Sequence, residues 1–353
     1  MNALTPTYYG PKAYAPDRIP EQAAAVGRGV LHKLTCTRLP WGYTQDVAPR
    51  SILTDPTPED MRYSEQWNSK KAKMIENGTY LKAPLEGMNF HYRYDQEVFR
   101  YARLPLKSNF WLYMKVCGLW GPVLLLVVTV FAHLTGGPIA GESFWGYTYD
   151  MTVNFYSWIL GVPLAFGIIG HIVVTHFPKI WLHPPKGPLW EFNRRTGMVK
   201  LFDYKHFKQR GAPEEIEAPF YEFDAYIVTN PDGKGYARHG LALFHRYRSI
   251  VISLNYLFIP DDRVYDPLAF WDFFQNFMDV SRPLPDIPKY EPYRHLDPVT
   301  AAYDAKMGRP ARYWIDMDND IFKARVEEMW SKVYALDTFN RPNLMARYVR
   351  YVD

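Results

Sequence analysis

Two long runs without charged residues constrain this chain more than any other feature. Between Lys115 and Glu142 there are 26 consecutive uncharged residues, and between Asp150 and Lys179 there are 28. A helix of about 20 apolar residues crosses the hydrocarbon core of a bilayer. A buried helical pair in a soluble protein is the less favoured alternative, because globular helices usually keep a polar face and these runs do not. The sequence therefore predicts a two-helix transmembrane hairpin.

The distribution of Lys and Arg predicts the orientation of this hairpin. Residues 135–150 contain no Lys or Arg, whereas basic residues flank both runs on their other sides. The positive-inside rule places the basic flanks in the cytoplasm. We expect spans at about 111–134 and 153–178 within a hairpin at 111–182, a periplasmic loop at 135–150, and both termini in the cytoplasm of a bacterium, with the chain in its inner membrane. No cleavable signal peptide is expected, because the first span begins far from the first residue.

Composition limits the functional classes. Lys and Arg number 41 against 37 Asp and Glu, a net charge of +4 with both signs interspersed, which disfavours binding to nucleic acid. Two cysteines are too few for a thiolate metal cage. The sequence lacks the spacing of a nucleophile elbow, a phosphate-binding loop or a dinucleotide fingerprint. We therefore expect no cofactor, no metal and no enzymatic activity, with a membrane-interface enzyme built from scattered residues as the alternative.

The parts outside the hairpin are expected to differ in structure. Residues 1–110 are interpreted as a cytoplasmic arm with short helices, one of them near Glu21–His32. A further helix should run from Pro58 to about Glu76 with Thr57 as its cap. The stretch Glu97–Leu106 is amphipathic and is expected to lie along the membrane surface.

Residues 183–353 are predicted to form a cytoplasmic α+β domain. A β-hairpin at 188–202 and further strands between 220 and 258 indicate an antiparallel sheet. Helical patterns over DPLAFWDFFQNFMDV and DNDIFKARVEEMWSKVYAL predict two helices that cover it. The predicted fold class is an α+β membrane protein, with a two-helix transmembrane hairpin and a cytoplasmic antiparallel sheet covered by helices.

Five residues are candidates for contact with lipid or a partner protein. Arg194 and Arg195 lie at the turn of the predicted β-hairpin, near the membrane in sequence, where they could meet lipid phosphates or carboxylates. A solvated turn is the alternative for this pair. The other candidates, Arg282, Asp286 and Arg294, lie in the proline-rich stretch SRPLPDIPKYEPYRHLDP.

One acidic cluster has part of the spacing of a calcium loop. Asp316, Asp318 and Asp320, followed by Glu327, match its ligand positions, but Ile321 stands where the loop requires Gly. Acidic residues are also favoured at the start of a helix without any metal. We therefore interpret the cluster as a helix start.

Three histidines and a pair of small residues lie in or beside the two runs. His133, His171 and His176 do not share one metal-binding face, so we interpret them as structural or interfacial rather than as ligands. Gly161 and Ala165 are typical of close helix packing. Packing within the hairpin is the simpler interpretation of this pair, and a homo-oligomer is the alternative.

The order of features over about residues 90–315 resembles a known family. The hairpin follows the pattern P-x-x-x-F-N-R-x-T-x-x-V-x-x-F, and the stretches HRYRSIVISL and WDFFQNFMDVSRPLPDIPKYEPYRHLDP extend the likeness. The matching positions are Pro188, Phe192, Asn193, Arg194, Thr196, Val199 and Phe202. The chain resembles bacterial inner-membrane proteins found associated with type VI secretion effectors. These motifs are structural, so the resemblance implies no catalytic residue.

The resemblance implies an immunity or accessory protein that neutralises or handles a type VI secretion toxin. The expected partners are the lipid bilayer and a toxin or secretion-system protein. A tight interface needs about 800 Å² from each partner, which the short predicted periplasmic loop does not offer, so we expect binding through the cytoplasmic domain. A structural adaptor that tethers a secretion or envelope assembly is the alternative.

Overall fold

The computed structural model describes residues 8–26, 35–42, 47–83, 85–140 and 143–352, apart from the side chains of 132, 136–140 and 144. The chain is an α+β protein that divides into two compact units. We call Met1–Thr79, Tyr92–Tyr101 and Pro188–Asp353 the sheet unit, and Tyr80–His91 and Ala102–Gly187 the hairpin unit. The first 79 residues thus belong to the same unit as the C-terminal domain.

The described residues form eleven strands and ten α-helices, mixed along the chain. The strands are β1 (Ala25–Val26), β2 (Thr35–Arg38), β3 (Arg93–Tyr94), β4 (Val98–Ala102), β5 (Pro188–Asn193), β6 (Met198–Asp203), β7 (Glu214–Pro219), β8 (Phe223–Pro231), β9 (Ala237–His245), β10 (Val251–Ser253) and β11 (Tyr351–Val352). The α-helices are α1 (Arg50–Leu53), α2 (Pro58–Glu76), α3 (Leu106–Ala140), α4 (Phe144–Met151), α5 (Ser157–His176), α6 (Pro178–Trp181), α7 (Phe207–Arg210), α8 (Tyr265–Met278), α9 (Pro298–Met307) and α10 (Asn319–Tyr334). A π-helical turn covers Thr152–Tyr156, and 3₁₀ segments cover Phe220–Glu222, Pro288–Leu296 and Leu344–Arg347.

The predicted strands are present but form two main sheets instead of one. Strands β3, β4, β5, β6 and β7 form a five-stranded sheet, and β10, β9, β8 and β2 form a four-stranded sheet. The β5–β6, β6–β7, β8–β9, β9–β10 and β2–β8 pairings are all antiparallel. The predicted β-hairpin is confirmed as β5 and β6. The N-terminal and C-terminal segments supply a separate parallel pair, β1 with β11.

Helix α8 forms the centre of the core. It is buried at 11 of its 14 positions, which a helix covering one sheet face would not be. Phe274 stacks on Phe192 of the five-stranded sheet at 4.5 Å between ring centroids, and α8 also contacts β9 of the four-stranded sheet. Trp271 packs edge-on against Trp41 at 4.9 Å. The predicted helix is therefore confirmed, but the prediction that it covers one face of a sheet is wrong, because α8 contacts both main sheets.

The N-terminal residues contribute to this core. Tyr14 and Trp41 are almost fully buried, and Val280 donates its backbone N–H to the carbonyl of Tyr14. Gly197 has φ of +73°, and a Cβ there would lie 1.9 Å from the carbonyl oxygen of Lys12. The N-terminal segment can therefore lie directly against the β5–β6 turn only because this residue is glycine.

Three local predictions in the first 110 residues have different outcomes. Helix α2 has the predicted bounds, with Thr57 and Asp60 forming a reciprocal capping box. The prediction that 97–106 lies along the membrane surface is wrong, because Val98–Ala102 is strand β4 with Val98 and Phe99 buried. A helix near 21–32 is absent from residues 21–26, which are irregular or strand, and residues 27–32 lie outside the described residues.

The longer segment of the hairpin unit, Ala102–Gly187, lies in the chain between two strands that are neighbours in the five-stranded sheet. Arg194 N–H donates to the carbonyl of Glu97 at 2.7 Å, and Arg100 pairs with Glu191, so β4 and β5 run antiparallel. The chain leaves the five-stranded sheet at the end of β4 and re-enters it at the start of β5.

Two helical stretches of this unit are long and apolar enough to cross a membrane. They cover Leu106–Thr135 and Trp145–His176, 30 and 32 residues. The helices extend into the segment predicted as loop, since α3 ends at Ala140 and α4 begins at Phe144. The side chain of Ser143 caps α4 by accepting the backbone N–H of Gly146.

Candidate functional site

The two long helices pack closely through glycines. A Cβ at Gly167 would lie 2.4 Å from the backbone of Gly118, and one at Gly170 would lie 2.6 Å from the backbone nitrogen of Lys115. Such contacts admit no side chain, so α3 and α5 touch backbone to backbone. By contrast, a Cβ at Gly161 would meet nothing within 4 Å, so this predicted packing residue is not used between the two helices.

The remaining surface of these helices is apolar and exposed. Each stretch contains an apolar segment of 18 residues. Only 18% of this segment is buried within the chain in the first stretch, and 22% in the second. The exposed side chains include Val123, Leu124, Val127, Val128, Phe131, Trp158, Phe166, Ile168 and Ile169. Core helices of soluble proteins are mostly buried, so this pattern differs from theirs.

Polar contacts join the helices near both ends. His133 lies 3.2 Å from the Tyr156 hydroxyl through Nδ1 and 3.0 Å from the Thr148 hydroxyl through Nε2. At the other end, the Ser108 hydroxyl donates to the carbonyl of His183 and accepts its N–H, both at 2.9 Å. These contacts agree with a structural role for His133.

Arg194 does not occupy the position expected from the sequence. It is fully buried, and its guanidinium donates to the carbonyls of Phe277 at 2.5 Å, Asp279 at 2.8 Å and Arg282 at 2.7 Å. Its charge is balanced by Asp297 at 3.3 Å, itself fully buried. The interpretation as a solvated turn is therefore wrong for Arg194. Because the side chain is fully buried, it does not contact lipid or a partner protein either.

The Arg194–Asp297 pair also holds the N-terminal segment. The Tyr9 hydroxyl donates to Asp297 at 2.6 Å, and Thr300 donates both its N–H and its hydroxyl to the same carboxylate. Burial lowers the pKa of Arg194, but Asp297 and Tyr9 outweigh this effect and raise the pKa above its ordinary value. Arg194 is thus a structural cation that joins three distant segments.

Arg195, the adjacent residue, is accessible. Its side chain is 49% exposed, and it donates through Nε to the carbonyl of Tyr8 at 2.9 Å and approaches Glu97 at 3.4 Å. Neighbouring residues on a turn point in different directions, so the two arginines have different environments. Arg195 stays a candidate contact for lipid or a partner.

The other three candidates meet in one cavity of about 430 Å³ in the sheet unit. Arg282, Asp286 and Arg294 all line it. The remaining lining residues are Val47, Ala48, Asn276, Pro283, Leu284, Pro285, Ile287, Tyr303, Arg309, Trp314, Arg325, Met329 and Lys332. They come from the segment before α1, from α8, from the proline-rich stretch, from α9 and α10, and from the segment between those two helices.

A network of paired charges forms the inner wall of this cavity. Asp286 accepts hydrogen bonds from the Trp314 indole N–H and from Arg309, each at 2.8 Å, and lies 3.5 Å from Arg294. Arg309 also pairs with Glu291 at 2.7 Å, which outweighs the effect of burial and raises its pKa above the ordinary value. The carboxylate of Asp286 thus forms ion pairs with both Arg294 and Arg309.

Most cations of the lining are paired with carboxylates. Arg325 and Lys332 on α10 both pair with Glu328, at 2.6 and 3.5 Å, while their side chains stay 41% and 46% exposed. Arg294 pairs with Asp304 at 2.7 Å. Four of the five cations that line the cavity are therefore paired with carboxylates.

Sequence reasoning missed Arg309, Arg325 and Lys332. They are separated from Asp286 by 23, 39 and 46 positions, and each has the local pattern of an ordinary surface cation. The only available signal was the density of arginines after residue 282. The tertiary structure brings these residues together.

The acidic cluster after residue 315 begins a helix, as interpreted. Asp318 is the N-cap of α10 and accepts the backbone N–H of Asp320, and Asp316 pairs with Arg312. Across the described ranges, no group of three or more His, Cys, Asp or Glu is placed to hold a metal ion.

Comparison of this chain with protein-family models, with curated proteins and with solved structures finds no match.

Proposed function

We propose that this chain is a membrane-anchored binding protein. In this proposal the hairpin unit spans a bilayer, and the sheet unit binds a partner at the membrane surface. The observation that carries the proposal is the exposure of α3 and α5, whose apolar segments are 18% and 22% buried. Exposed apolar surface costs roughly 25 cal/mol per Å² in water, so a pair of helices this long requires an apolar environment.

The ends of the two stretches support the same location. Trp111 and Trp181 pack together at 5.2 Å between ring centroids, with Lys107 and Lys179 nearby in sequence. Tryptophan and lysine are typical of the zone where a helix leaves the hydrocarbon for the headgroups. With the basic flanks in the cytoplasm, the inner membrane of a bacterium is the proposed location and the sheet unit is cytoplasmic.

The narrower role follows from the sequence resemblance described above. We propose that the sheet unit neutralises or handles a type VI secretion toxin as an immunity or accessory protein. Arg195 is accessible on the sheet unit and is available to contact such a partner. Anchoring raises the local concentration of such a domain at the bilayer.

The membrane location is tested by fractionation and cysteine labelling of cells expressing the tagged chain. Cys36 and Cys117 are replaced by Ser, and a single cysteine is introduced at Ser143 or at Lys234, both exposed. We expect the chain to resist alkaline carbonate extraction. A membrane-impermeant maleimide should label Ser143→Cys in spheroplasts, and should label Lys234→Cys only after permeabilisation.

A chain that fractionates as soluble would exclude the membrane anchor. Labelling of Lys234→Cys without permeabilisation would agree with a membrane anchor but would place the sheet unit outside the cytoplasm, opposite to the proposed orientation.

The binding role is tested by affinity purification of the tagged chain from its native host in mild detergent, with mass spectrometry. A secreted toxin recovered in stoichiometric amount supports the proposal. A parallel purification with the Arg195→Ala variant as bait tests whether the β5–β6 turn contributes to toxin binding. Arg347→Ala, another exposed arginine, is the charge control. Recovery of envelope machinery without a toxin contradicts the immunity role and assigns an adaptor role instead.

A further inference from the structure

We propose that a groove at the end of the second apolar stretch binds the headgroup of an anionic phospholipid. The groove has a volume of about 650 Å³ and is lined by the loop that carries Lys82 and Glu86 and by residues 175–180 at the junction of α5 with α6. Its whole lining belongs to the hairpin unit. The inference rests on the proposed membrane location and adds to it the class of lipid that the protein recognises.

The position of the groove along the hairpin unit is the first argument. Residues 175–180 include the end of α5 and the start of α6, and Trp181 follows them and packs against Trp111 near the start of α3. The hydrogen bonds between Ser108 and His183 hold the same end of the unit together. Tryptophan marks the zone where a span leaves the hydrocarbon. In the proposed location the groove therefore lies at the depth of the lipid phosphates.

The charges of the lining are the second argument. Lys82 and Lys179 are both exposed, and among the described residues neither forms an ion pair with a carboxylate. Glu86, the one carboxylate of this lining, accepts hydrogen bonds from the Tyr80 hydroxyl and from the backbone N–H of Ala83. Both ammonium groups are therefore available to an anion, and hydrogen bonds between such charged groups are the strong ones.

Apolar surface beside these cations favours a lipid over a free anion. Phe177 and Ile180 also line the groove, and they are 48% and 63% exposed. Ile172, one turn earlier on α5, is 41% exposed. A phospholipid presents a phosphate directly beside hydrocarbon, which matches a groove with cationic and apolar sides. Lysines at the membrane surface favour anionic lipids.

The test is native mass spectrometry of the full-length chain in a mild neutral detergent. Phosphatidylglycerol and zwitterionic phosphatidylcholine with the same acyl chains are titrated separately, and a dissociation constant is obtained for each lipid. Glycerol 3-phosphate is the soluble probe without acyl chains. We expect phosphatidylglycerol to bind about tenfold more tightly than phosphatidylcholine, and glycerol 3-phosphate not to bind.

The variant Lys82→Gln/Lys179→Gln should bind phosphatidylglycerol about tenfold more weakly, because it removes both available cations. Its affinity for phosphatidylcholine should stay unchanged, which also reports that the variant is folded. Lys306→Gln/Lys323→Gln is the matched control, since both lysines are exposed in the sheet unit and neither lines the groove. It should leave both affinities unchanged. Lys82→Arg/Lys179→Arg retains the charge and should keep the preference.

Three results would overturn the proposal. The first is equal affinity of the wild-type chain for the two lipids, and the second is an equal loss of phosphatidylglycerol binding in the two glutamine variants. The third is binding of glycerol 3-phosphate as tight as that of phosphatidylglycerol, which would assign the groove to a free phosphate ester.

Alkaline carbonate extraction of wild-type membranes separates this inference from the proposed membrane anchor. A chain that stays in the membrane pellet but shows no preference for phosphatidylglycerol overturns the lipid site alone. A chain released into the soluble fraction overturns both proposals.

Discussion

Helix α8 in the sheet unit and helix α5 in the hairpin unit both carry large apolar side chains on more than one side, but their environments differ. Helix α8 has Phe270, Trp271 and Phe273 fully buried. Helix α5 leaves Trp158 and Phe166 at least half exposed. The sheets and the segments packed on them bury α8. Helix α5 has no polar face, and in the proposed membrane location the bilayer supplies the apolar environment that such a helix needs.

The two units also differ in the charged groups that they bury. The sheet unit buries Arg194 with Asp297 and also Arg246 with Asp224, both as hydrogen-bonded pairs. Where the structure describes the two long stretches, their interior contacts are made by glycine backbones and by neutral groups such as Thr129. A buried ion pair requires several donors and acceptors around it, and among the described residues these two pairs find them in the sheet unit.

The largest effect is expected from Arg194→Met in the sheet unit. The substitution leaves Asp297 buried without its cation and leaves three carbonyls without their donor. The free energy of unfolding should fall by about 3–5 kcal/mol. Urea titration of the detergent-solubilised chain, followed by tryptophan fluorescence, measures this change.

Arg195→Met is the control for that experiment, because it removes the same group from a half-exposed position. Its effect should be about 1 kcal/mol or less. Equal losses in the two variants would contradict the distinction between a buried and an accessible arginine on this turn.

A smaller effect is expected from Gly167→Leu in the hairpin unit. Its side chain would meet the backbone of Gly118, so the two helices must separate. Overpacking of this kind costs about 1–3 kcal/mol. The midpoint of thermal aggregation in detergent should fall, while Gly161→Leu, whose Cβ meets nothing, should leave it unchanged. Tolerance of both substitutions would show that α3 and α5 are not packed as described.

The smallest effect is expected at the start of α2, from Thr57→Ala. Loss of the capping box should cost about 1 kcal/mol at neutral pH. The Thr57 hydroxyl and N–H lower the pKa of the Asp60 carboxyl, so its ionised form is favoured in the folded state. This contribution is present above the unfolded pKa of aspartate, about 3.9, and is lost as the pH falls through the lower folded value.

Amide hydrogen exchange of residues 58–76 in wild type and Thr57→Ala measures this local effect. The difference between the two proteins should be largest near pH 7 and should shrink below about pH 4. Thr79→Ala, just beyond the other end of the helix, is the control. A difference that grows at acidic pH would contradict the sign worked out for Asp60.

Elements with strong local signals were predicted correctly. Helix α2 has Thr57 and Pro58 at its start, and the β5–β6 turn has Asn193 and Gly197 where the chain must reverse. In these cases the residues that determine the structure are neighbours in sequence.

The errors concern residues whose environment depends on distant partners. Strand β4 was interpreted as a membrane-surface segment, because apolar residues such as Val98 and Phe99 stand beside arginines, a composition that suits either location. Arg194 looked like a turn residue, but its counter-ion Asp297 is 103 positions away. The cavity was not predicted because its cations lie on several elements.

The sequence by itself determined that this chain has two long apolar helical stretches, a β-hairpin after them and the helices α2, α8 and α10, because periodicity, capping and turn chemistry act over a few residues. The tertiary structure alone decided that the strands form two sheets around α8, that Arg194 is buried while Arg195 is exposed, and that Asp286, Arg309 and Lys332 line one cavity. Burial and charge pairing depend on contacts between distant residues, and a single sequence does not record those distances.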